Sequence, residues 1–157
     1  MAKKVVLNAK TSRPSVCNAA ETLLVDRAIS RDFLPECLDA LKEKGVEIRG
    51  TAEVKEIYPD AKIVSDEEFY VEYEDMIIKV KIVENEEEAV KHINEYGTNH
   101  SEAIITRDEK AAEYFTTMVD AGCVYVNAST RFTDGYELGL GAEMGISTQK
   151  LHVRGPI

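Results

Sequence analysis

Apolar runs of strand length alternate with segments of helical spacing along this chain, and this alternation constrains the fold most strongly. The clearest strand signals are the runs 22–25, 76–83 and 124–126, and helices are predicted between them at 85–97 and 108–121. Strands separated by helices of this length pair in parallel, because a parallel connection needs a crossover. The sequence therefore predicts an α/β fold built on a parallel sheet.

The helix after the first strand is predicted from residues that favour helix ends. Asp32 is a favourable N-cap, apolar residues then recur at helical spacing as far as Leu41, and Gly45 supplies a C-terminal cap. We therefore expect a helix from Asp32 through Leu41.

The run 76–83 is the longest strand signal in the chain. Lys79 and Lys81 interrupt its apolar residues, so the pattern alternates in part. We expect this strand to have one wetter face, on the side of the two lysines.

The amino-acid composition limits the cellular compartment and the classes of binding partner that we expect for this chain. A chain of 157 residues fits one domain with a single substantial core. The net charge of -10 opposes binding to nucleic acid or to an anionic membrane. No apolar run approaches the ~20 residues of a membrane helix. Three scattered cysteines fit a reducing cytoplasm better than a disulfide framework, so we expect a cytoplasmic protein.

One of the three cysteines is placed where a nucleophile would be presented. Cys17 follows Pro14 on a small-residue loop that leads into the first buried strand. Cys37 and Cys123 fall within apolar patterns and are explained as small buried hydrophobic residues. Spacing alone fits Cys17 equally well as a nucleophile or as a buried packing thiol.

Three longer segments carry a resemblance to a known family. The segments 9–25, 124–135 and 141–156, in this order, resemble those of the gamma-glutamyl phosphate reductases, a family of the aldehyde dehydrogenase superfamily. The resemblance implies that 1–157 is the three-layer, cysteine-bearing catalytic domain of the aldehyde dehydrogenase type. It also implies a truncated chain that lacks most of the nicotinamide-binding domain, and we expect such a chain not to turn over alone.

The resemblance implies a reaction in proline biosynthesis. NADPH-dependent reduction would convert L-glutamyl 5-phosphate to glutamate 5-semialdehyde with release of phosphate. Cys17 as thiolate would attack the acyl carbonyl and expel phosphate, and hydride would then reduce the thioacyl enzyme. Backbone N–H groups near Cys17 and Asn18 would contribute an oxyanion hole. Arg13 is the nearest cation in sequence, although a solvated surface arginine explains it as well.

The substrate's α-carboxylate and α-ammonium demand opposite charges in the pocket. Arg131 offers a planar fork for a carboxylate, with Asn127 and Ser129 beside it, and Glu143 offers a partner for the ammonium. A structural ion pair is the alternative for Arg131 and Glu143. The basic residues Lys150, His152 and Arg154 are candidates for the phosphate, with a solvated tail as the simpler explanation.

Glu72 is the candidate for the cofactor. The segment 71–77 can be aligned with the superfamily segment whose glutamate holds the nicotinamide ribose, and this alignment gives that role to Glu72. The phenylalanine and the glycine-proline of the superfamily segment are missing here. A solvated acidic loop is the alternative.

Two other patterns carry no site. The glycine-rich segment 139–145 has the wrong spacing for a dinucleotide loop, and Glu143 within it would repel a pyrophosphate. His92, His100 and Glu102 lack zinc-ligand spacing, and both histidines lie among polar residues in the sequence, so no metal is expected.

Two alternatives to this function stay open at the level of sequence. An acylating aldehyde dehydrogenase for another acyl group would use the same cysteine. A folded α/β module without activity of its own, serving binding or assembly, would explain a thiol no more reactive than the other two. The resemblance also implies a small-molecule substrate, homo-oligomers and cooperation with glutamate 5-kinase as partners.

Overall fold

The computed structural model describes residues 1–148 and contains five helices and six strands within them. Their bounds are α1 Ala2–Thr11, β1 Thr22–Asp26, α2 Arg27–Glu43, β2 Glu47–Gly50, α3 Ala52–Ile57, β3 Lys62–Ile63, β4 Ile77–Val83, α4 Glu86–Tyr96, β5 Ser101–Ile104, α5 Glu109–Met118 and β6 Cys123–Val126. Two 3₁₀ turns, Glu67–Tyr70 and Thr130–Phe132, complete the described elements.

All strand pairs of the described chain are parallel, which confirms the predicted α/β class. Four strands form one sheet in the order β1-β4-β2-β3, and β5 and β6 form a second sheet. The sequence predicted one sheet, but the edges of β1 and β5 do not pair, and the sheet is interrupted between them.

The larger core lies between α2 and the four-stranded sheet. Leu34, Cys37, Leu38 and Leu41 of α2 are fully buried, together with Ile78 of β4. Burial of a leucine side chain contributes about 1.5–3 kcal/mol, so this helix face stabilises the sheet that carries the site. A smaller cluster of Val90, Phe115 and Val119 packs α4 and α5 together.

The predicted start of α2 was wrong. The helix begins at Arg27, because the carboxylate of Asp26 accepts a hydrogen bond from the backbone N–H of Ala28 at 2.8 Å and caps it. Asp32 lies inside the helix, and Pro35 is accommodated within it although it lacks an N–H. The strand therefore runs directly into α2 without an intervening loop.

The wetter face predicted for 76–83 was wrong at Lys79. β4 is flanked by β1 and β2, so it is a central strand, and Lys79 is only 1% exposed. Its ammonium donates to the backbone carbonyl of Val71 and, at 3.4 Å, to those of Glu68 and Phe69. Burial lowers the pKa of Lys79, and the ring of carbonyls is what allows this cation inside.

The starts of the helices predicted at 85–97 and 108–121 are confirmed, and a side chain caps each of them. The side chain of Asn85 accepts from the backbone N–H of Glu88 at 3.0 Å, and Asp108 accepts from Lys110 at 2.8 Å. The carboxylate of Glu88 reaches back to the N–H of Glu84 at 2.8 Å, one residue before the cap.

Candidate active site

Cys17 is the exposed cysteine of the three, on the loop between α1 and β1. The N–H of Ala19 donates to the carbonyl of Val16 at 2.9 Å, and the N–H of Ala20 donates to the carbonyl of Ala9 at 2.9 Å, so the loop is tied to α1. Cys37 is fully buried, and burial raises the pKa of its thiol to about 11. Cys123 is half-buried. The exposed thiol therefore stands on a fixed loop at the amino end of β1.

Asn18 joins this loop to a distant segment. Its side-chain amide donates to the carbonyl of Thr133 at 2.7 Å, its own backbone carbonyl accepts from the hydroxyl of Thr130 at 2.7 Å, and its side-chain oxygen accepts from Arg131. Asn18 is 4% exposed, so these bonds are shielded from water. No hydrogen bond from the backbone N–H of Cys17 or Asn18 is found among residues 1–148, so both donors are available for an oxyanion.

Thr133 is the hub of a hydrogen-bond chain that sequence reasoning missed. Its hydroxyl lies 2.7 Å from the hydroxyl of Ser101 and 2.9 Å from that of Tyr125, and Ser101 lies 2.8 Å from Nδ1 of His100. The chain fixes the loop after β6 against β5 and beneath Asn18. No spacing in the sequence indicates it, because its members lie on separate elements.

The predicted residues Asn127 and Ser129 have local structural contacts. Asn127 adopts a left-handed backbone with φ 57°, and its side chain exchanges two hydrogen bonds with the backbone of Thr106, at 3.0 and 2.9 Å. Ser129 is buried, and its hydroxyl accepts from the backbone N–H of Arg131 at 3.2 Å. Both residues shape the loop that carries Arg131.

Arg131 and Glu143 stand in different surroundings. Besides its bond to Asn18, Arg131 donates from Nε to the hydroxyl of Ser12 at 3.2 Å. Glu143 is exposed, and no ion pair or hydrogen bond of its carboxylate is found in the described part of the chain. The structure does not bring Glu143 against Arg131. Lys150, His152 and Arg154 lie outside the described residues.

Glu72 shares a cavity with Cys17. Cys17, Glu21, Glu72 and Lys79 are among the residues that line a cavity of about 380 Å³. Glu72 is exposed, and desolvation, followed by repulsion from Glu21 and Glu74, raises the pKa of its carboxyl. Cys17, predicted as the nucleophile, and Glu72, predicted to bind the cofactor, therefore line the same cavity.

Glu21, which lines the cavity, belongs to a buried ion pair. Nζ of Lys10, a fully buried residue, lies 3.0 Å from Oε1 of Glu21. Oε2 of the same carboxylate accepts from the backbone N–H of Tyr73 at 2.8 Å. The pair connects α1, the approach to β1 and the segment that carries Glu72.

The polar surroundings inferred for His92 were wrong, whereas His100 keeps a polar neighbour in Ser101. His92 and His100 are 5% and 9% exposed, and the His92 ring lies edge-on to Phe69 with ring centroids 4.8 Å apart. Burial lowers the pKa of His92 to about 4, and neither ring nitrogen has a hydrogen-bond partner among the described residues. Glu102 is also desolvated, which raises its pKa to about 7. Phe69 of the 3₁₀ turn Glu67–Tyr70 and Tyr96 of α4 provide the ring contacts of His92.

Replacing Asn18 by alanine is expected to lower the free energy of unfolding by about 2 kcal/mol, because it leaves the buried carbonyl of Thr133 without a donor. The same change releases Arg131 and frees the loop that carries Cys17. Denaturant unfolding measures the loss, and Asn8→Ala, an exposed asparagine of α1, is the matched control. Equal effects of the two substitutions would show that Asn18 does not hold the two loops together.

Within residues 1–148, no helix has both the length and the apolar character needed to span a lipid bilayer.

Cys17 therefore lies on a loop at the amino end of a parallel α/β sheet, and Asn18 joins this loop to the segment that follows β6. The model of the aldehyde dehydrogenase family matches residues 54–141, more than half of the chain. The chain belongs to this family.

Its relatives within the family are gamma-glutamyl phosphate reductases. The proteins of that name from Bacillus subtilis and from Clostridium botulinum strain Eklund 17B are 60% and 58% identical over all 157 residues. The crystal structure of gamma-glutamyl phosphate reductase from Thermotoga maritima superposes with a TM-score of 0.93 at 50% identity over 99% of this chain. In each case the chain spans 38% of the relative's length.

Proposed function

We propose that this chain is the cysteine-bearing catalytic domain of an NADPH-dependent reductase that converts L-glutamyl 5-phosphate to L-glutamate 5-semialdehyde and phosphate. The observation that carries the proposal is the exposed thiol of Cys17 on a loop that Asn18 locks to Thr130 and Thr133. The names of the relatives, which match over the whole chain, supply the substrate class.

The nucleophilic step needs a thiolate at a defined position. The sulfur of Cys17 attacks the γ-carbonyl carbon, a C–S bond forms, and the C–O bond to phosphate breaks with its electron pair leaving on phosphate. The backbone N–H groups of Cys17 and Asn18 stabilise the oxyanion that develops on the carbonyl oxygen. A loop fixed by buried hydrogen bonds preserves this geometry, because small displacements of a nucleophile are costly.

Arg131 combines loop positioning with recognition of the substrate carboxylate. A guanidinium has five N–H donors, and the contacts to Asn18 and Ser12 use only Nη1 and Nε. The donors that are left suit an α-carboxylate. Glu143, exposed on the segment that follows, is our candidate for the α-ammonium. Asn127 and Ser129 act through the shape of the loop.

Glu72 is the residue of this chain that fits the cofactor. Glu72 is exposed and lines the same cavity as Cys17, and its carboxylate would accept hydrogen bonds from a ribose hydroxyl. Bound NADPH would supply the hydride. We place the nicotinamide-binding domain mostly in the part of the relatives that this chain does not span, because the chain covers 38% of their length. We extend the proposal to a cytoplasmic homo-oligomer that acts with glutamate 5-kinase.

Alkylation by iodoacetamide tests the nucleophile. We expect Cys17 to react at least about ten-fold faster than Cys37, because the Cys37 thiol is buried and its pKa is raised to about 11. The rates of Cys17, Cys37 and Cys123 are measured across pH by peptide mass spectrometry, with and without glutamate. Protection of Cys17 by glutamate would support the amino-acid substrate over another acyl group.

Equal and slow alkylation of all three cysteines would contradict the assignment. The same measurement on the full-length Bacillus subtilis relative then separates the two explanations. A fast cysteine there at the equivalent position would mean that the rest of the enzyme completes the site. A slow one would leave a packing thiol and favour a module without activity of its own.

A further inference from the structure

Thr133 has a hydrogen-bond contact at each of its polar groups. Its side-chain hydroxyl lies 2.7 Å from the hydroxyl of Ser101 and 2.9 Å from that of Tyr125. Its backbone N–H donates to the carbonyl of Thr130 at 3.1 Å, and its carbonyl accepts from the side-chain amide of Asn18 at 2.7 Å. Thr133 is buried, so these contacts are shielded from water and fix the residue firmly.

The backbone turns sharply at Thr133. Its φ of -71° and ψ of 69° are those of the central residue of an inverse γ-turn, and the N–H of Asp134 donates to the carbonyl of Phe132 at 2.7 Å across the turn. The turn follows directly on the 3₁₀ turn Thr130–Phe132, and its central carbonyl receives Asn18. Because a γ-turn has only one hydrogen bond of its own, the side-chain contacts of Thr133 help to hold it.

The hydroxyl of Thr133 has to donate and accept at the same time. A hydroxyl has one proton and two lone pairs, so between two other hydroxyls it donates to one and accepts from the other. The chain continues from Ser101 to Nδ1 of His100 at 2.8 Å. Serine at position 133 could take both parts, whereas valine, which has the shape of threonine, could take neither.

Asn18 is held by both ends of the segment 130–133. Its side-chain amide donates to the carbonyl of Thr133, and its own backbone carbonyl accepts from the hydroxyl of Thr130 at 2.7 Å. These two bonds fix the side chain and the backbone of Asn18 together. Because Asn18 follows Cys17 directly, they also fix the peptide group between the two residues, whose N–H is one of the proposed oxyanion donors.

We propose that Thr133 is a positioning residue for acylation of the nucleophile. Its hydroxyl, between Ser101 and Tyr125, fixes the turn whose carbonyl receives Asn18. Asn18 then directs the N–H groups of the cysteine loop towards the developing oxyanion. Thr133 itself touches no reacting atom. This role rests on the proposed function, because the donors matter only if the sulfur of Cys17 attacks an acyl carbonyl.

Two reactions of the same thiol separate positioning from exposure. With acetyl phosphate, the sulfur of Cys17 attacks the carbonyl carbon, a C–S bond forms, and the C–O bond to phosphate breaks with its electron pair leaving on phosphate. The thiol proton passes to solvent, and an oxyanion develops on the carbonyl oxygen. With iodoacetamide, the sulfur displaces iodide at a saturated carbon, and no oxyanion forms. A loss of donor position therefore slows only the first reaction.

Thr133→Val tests the role, because it removes the hydroxyl and keeps the shape. We expect acetylation of Cys17 by acetyl phosphate to slow by about ten-fold, with alkylation by iodoacetamide within about two-fold of wild type. Thr133→Ser is expected to restore the acetylation rate. Peptide mass spectrometry measures the thioester at Cys17, and its removal by hydroxylamine identifies it.

Two further variants serve as control and replacement. Thr116→Val, at an exposed position of α5 where the hydroxyl bonds carbonyls of its own helix, is expected to leave both rates unchanged. If Thr133→Val fails to fold, Tyr125→Phe replaces it and removes one end of the hydroxyl contact. Because the bond to Ser101 is kept, we expect a smaller loss, of about three-fold, in acetylation alone.

Two results would overturn the role of Thr133 while the proposed function stands. In the first, Thr133→Val is acetylated as fast as wild type. In the second, acetylation and alkylation slow together and serine restores neither, which is the result of a general structural loss. If Cys17 of the wild-type chain is acetylated no faster than Cys123, the proposed function fails for this chain, and the role of Thr133 fails with it.

Discussion

Replacing Lys10 by methionine is expected to lower the free energy of unfolding by about 3–5 kcal/mol, the usual cost of removing one member of a buried ion pair. Lys10 is fully buried, and its ammonium lies 3.0 Å from the carboxylate of Glu21. Methionine keeps the stem but removes the charge, so the carboxylate of Glu21 is left in a site that only the backbone N–H of Tyr73 still serves. Chemical denaturation followed by circular dichroism measures the loss.

A double-mutant cycle separates the ion pair from packing. We expect the variant with both Lys10→Met and Glu21→Gln to lose less stability than the sum of the two single variants, because it removes both charges together. Lys4→Met on the exposed face of α1 is the matched control and is expected to change stability by less than about 0.5 kcal/mol. Additive losses in the cycle would show that the two side chains do not depend on each other.

The pair also links stability to the candidate site. Glu21 lies four residues after Cys17 and holds the backbone of Tyr73, next to Glu72. Loss of Lys10 is therefore expected to loosen both sides of the cavity at once. The alkylation rate of Cys17 in Lys10→Met, measured well below the unfolding transition, reports this coupling.

The sequence predicted the local structure well where one short segment decides it. The starts of the helices predicted at 85–97 and 108–121 depend on hydrogen bonds within three residues of Asn85 and Asp108, and both starts were predicted correctly. The start of α2 was missed because two acidic residues, Asp26 and Asp32, offer the same cap, and only packing of the helix decides between them. Where two residues are equally good helix caps, tertiary contacts decide at which of them the helix begins.

Most of the candidate site is formed by contacts between residues that are far apart in the sequence, and no local sequence pattern indicates these contacts. Asn18 and Thr133 are 115 residues apart, and their hydrogen bond gives Asn18 a positioning role that no motif indicates. Lys10 and Lys79 read as ordinary polar residues, yet both are buried, because a carboxylate and a ring of carbonyls receive them. The exposure of Cys17, in contrast, follows from its loop and from the apolar patterns that already explain the other two cysteines.

Glu102→Gln is expected to stabilise the chain by about 3 kcal/mol above pH 7 and to have little effect near pH 4.5. Desolvation raises the pKa of the Glu102 carboxyl from 4.5 to about 7. Below pH 4.5 the folded and unfolded states are both protonated. As the pH rises to 7, the unfolded state releases its proton first, so stability is lost across this window. The difference between these two pKa values corresponds to about 3 kcal/mol of stability.

The difference between wild type and variant must be measured, because His92 acts in the opposite direction. Burial lowers the pKa of His92 from 6.5 to about 4, so its contribution is complete above pH 6.5 and is lost as the pH falls to 4. The two opposing slopes partly cancel in the wild type. Subtracting the wild-type curve from that of Glu102→Gln removes the His92 contribution, and Glu113→Gln on the exposed face of α5 controls for loss of charge.

A flat difference curve would contradict this prediction. If Glu102→Gln changes stability equally from pH 4.5 to pH 8, water reaches the Glu102 carboxyl in the folded chain and burial does not raise its pKa.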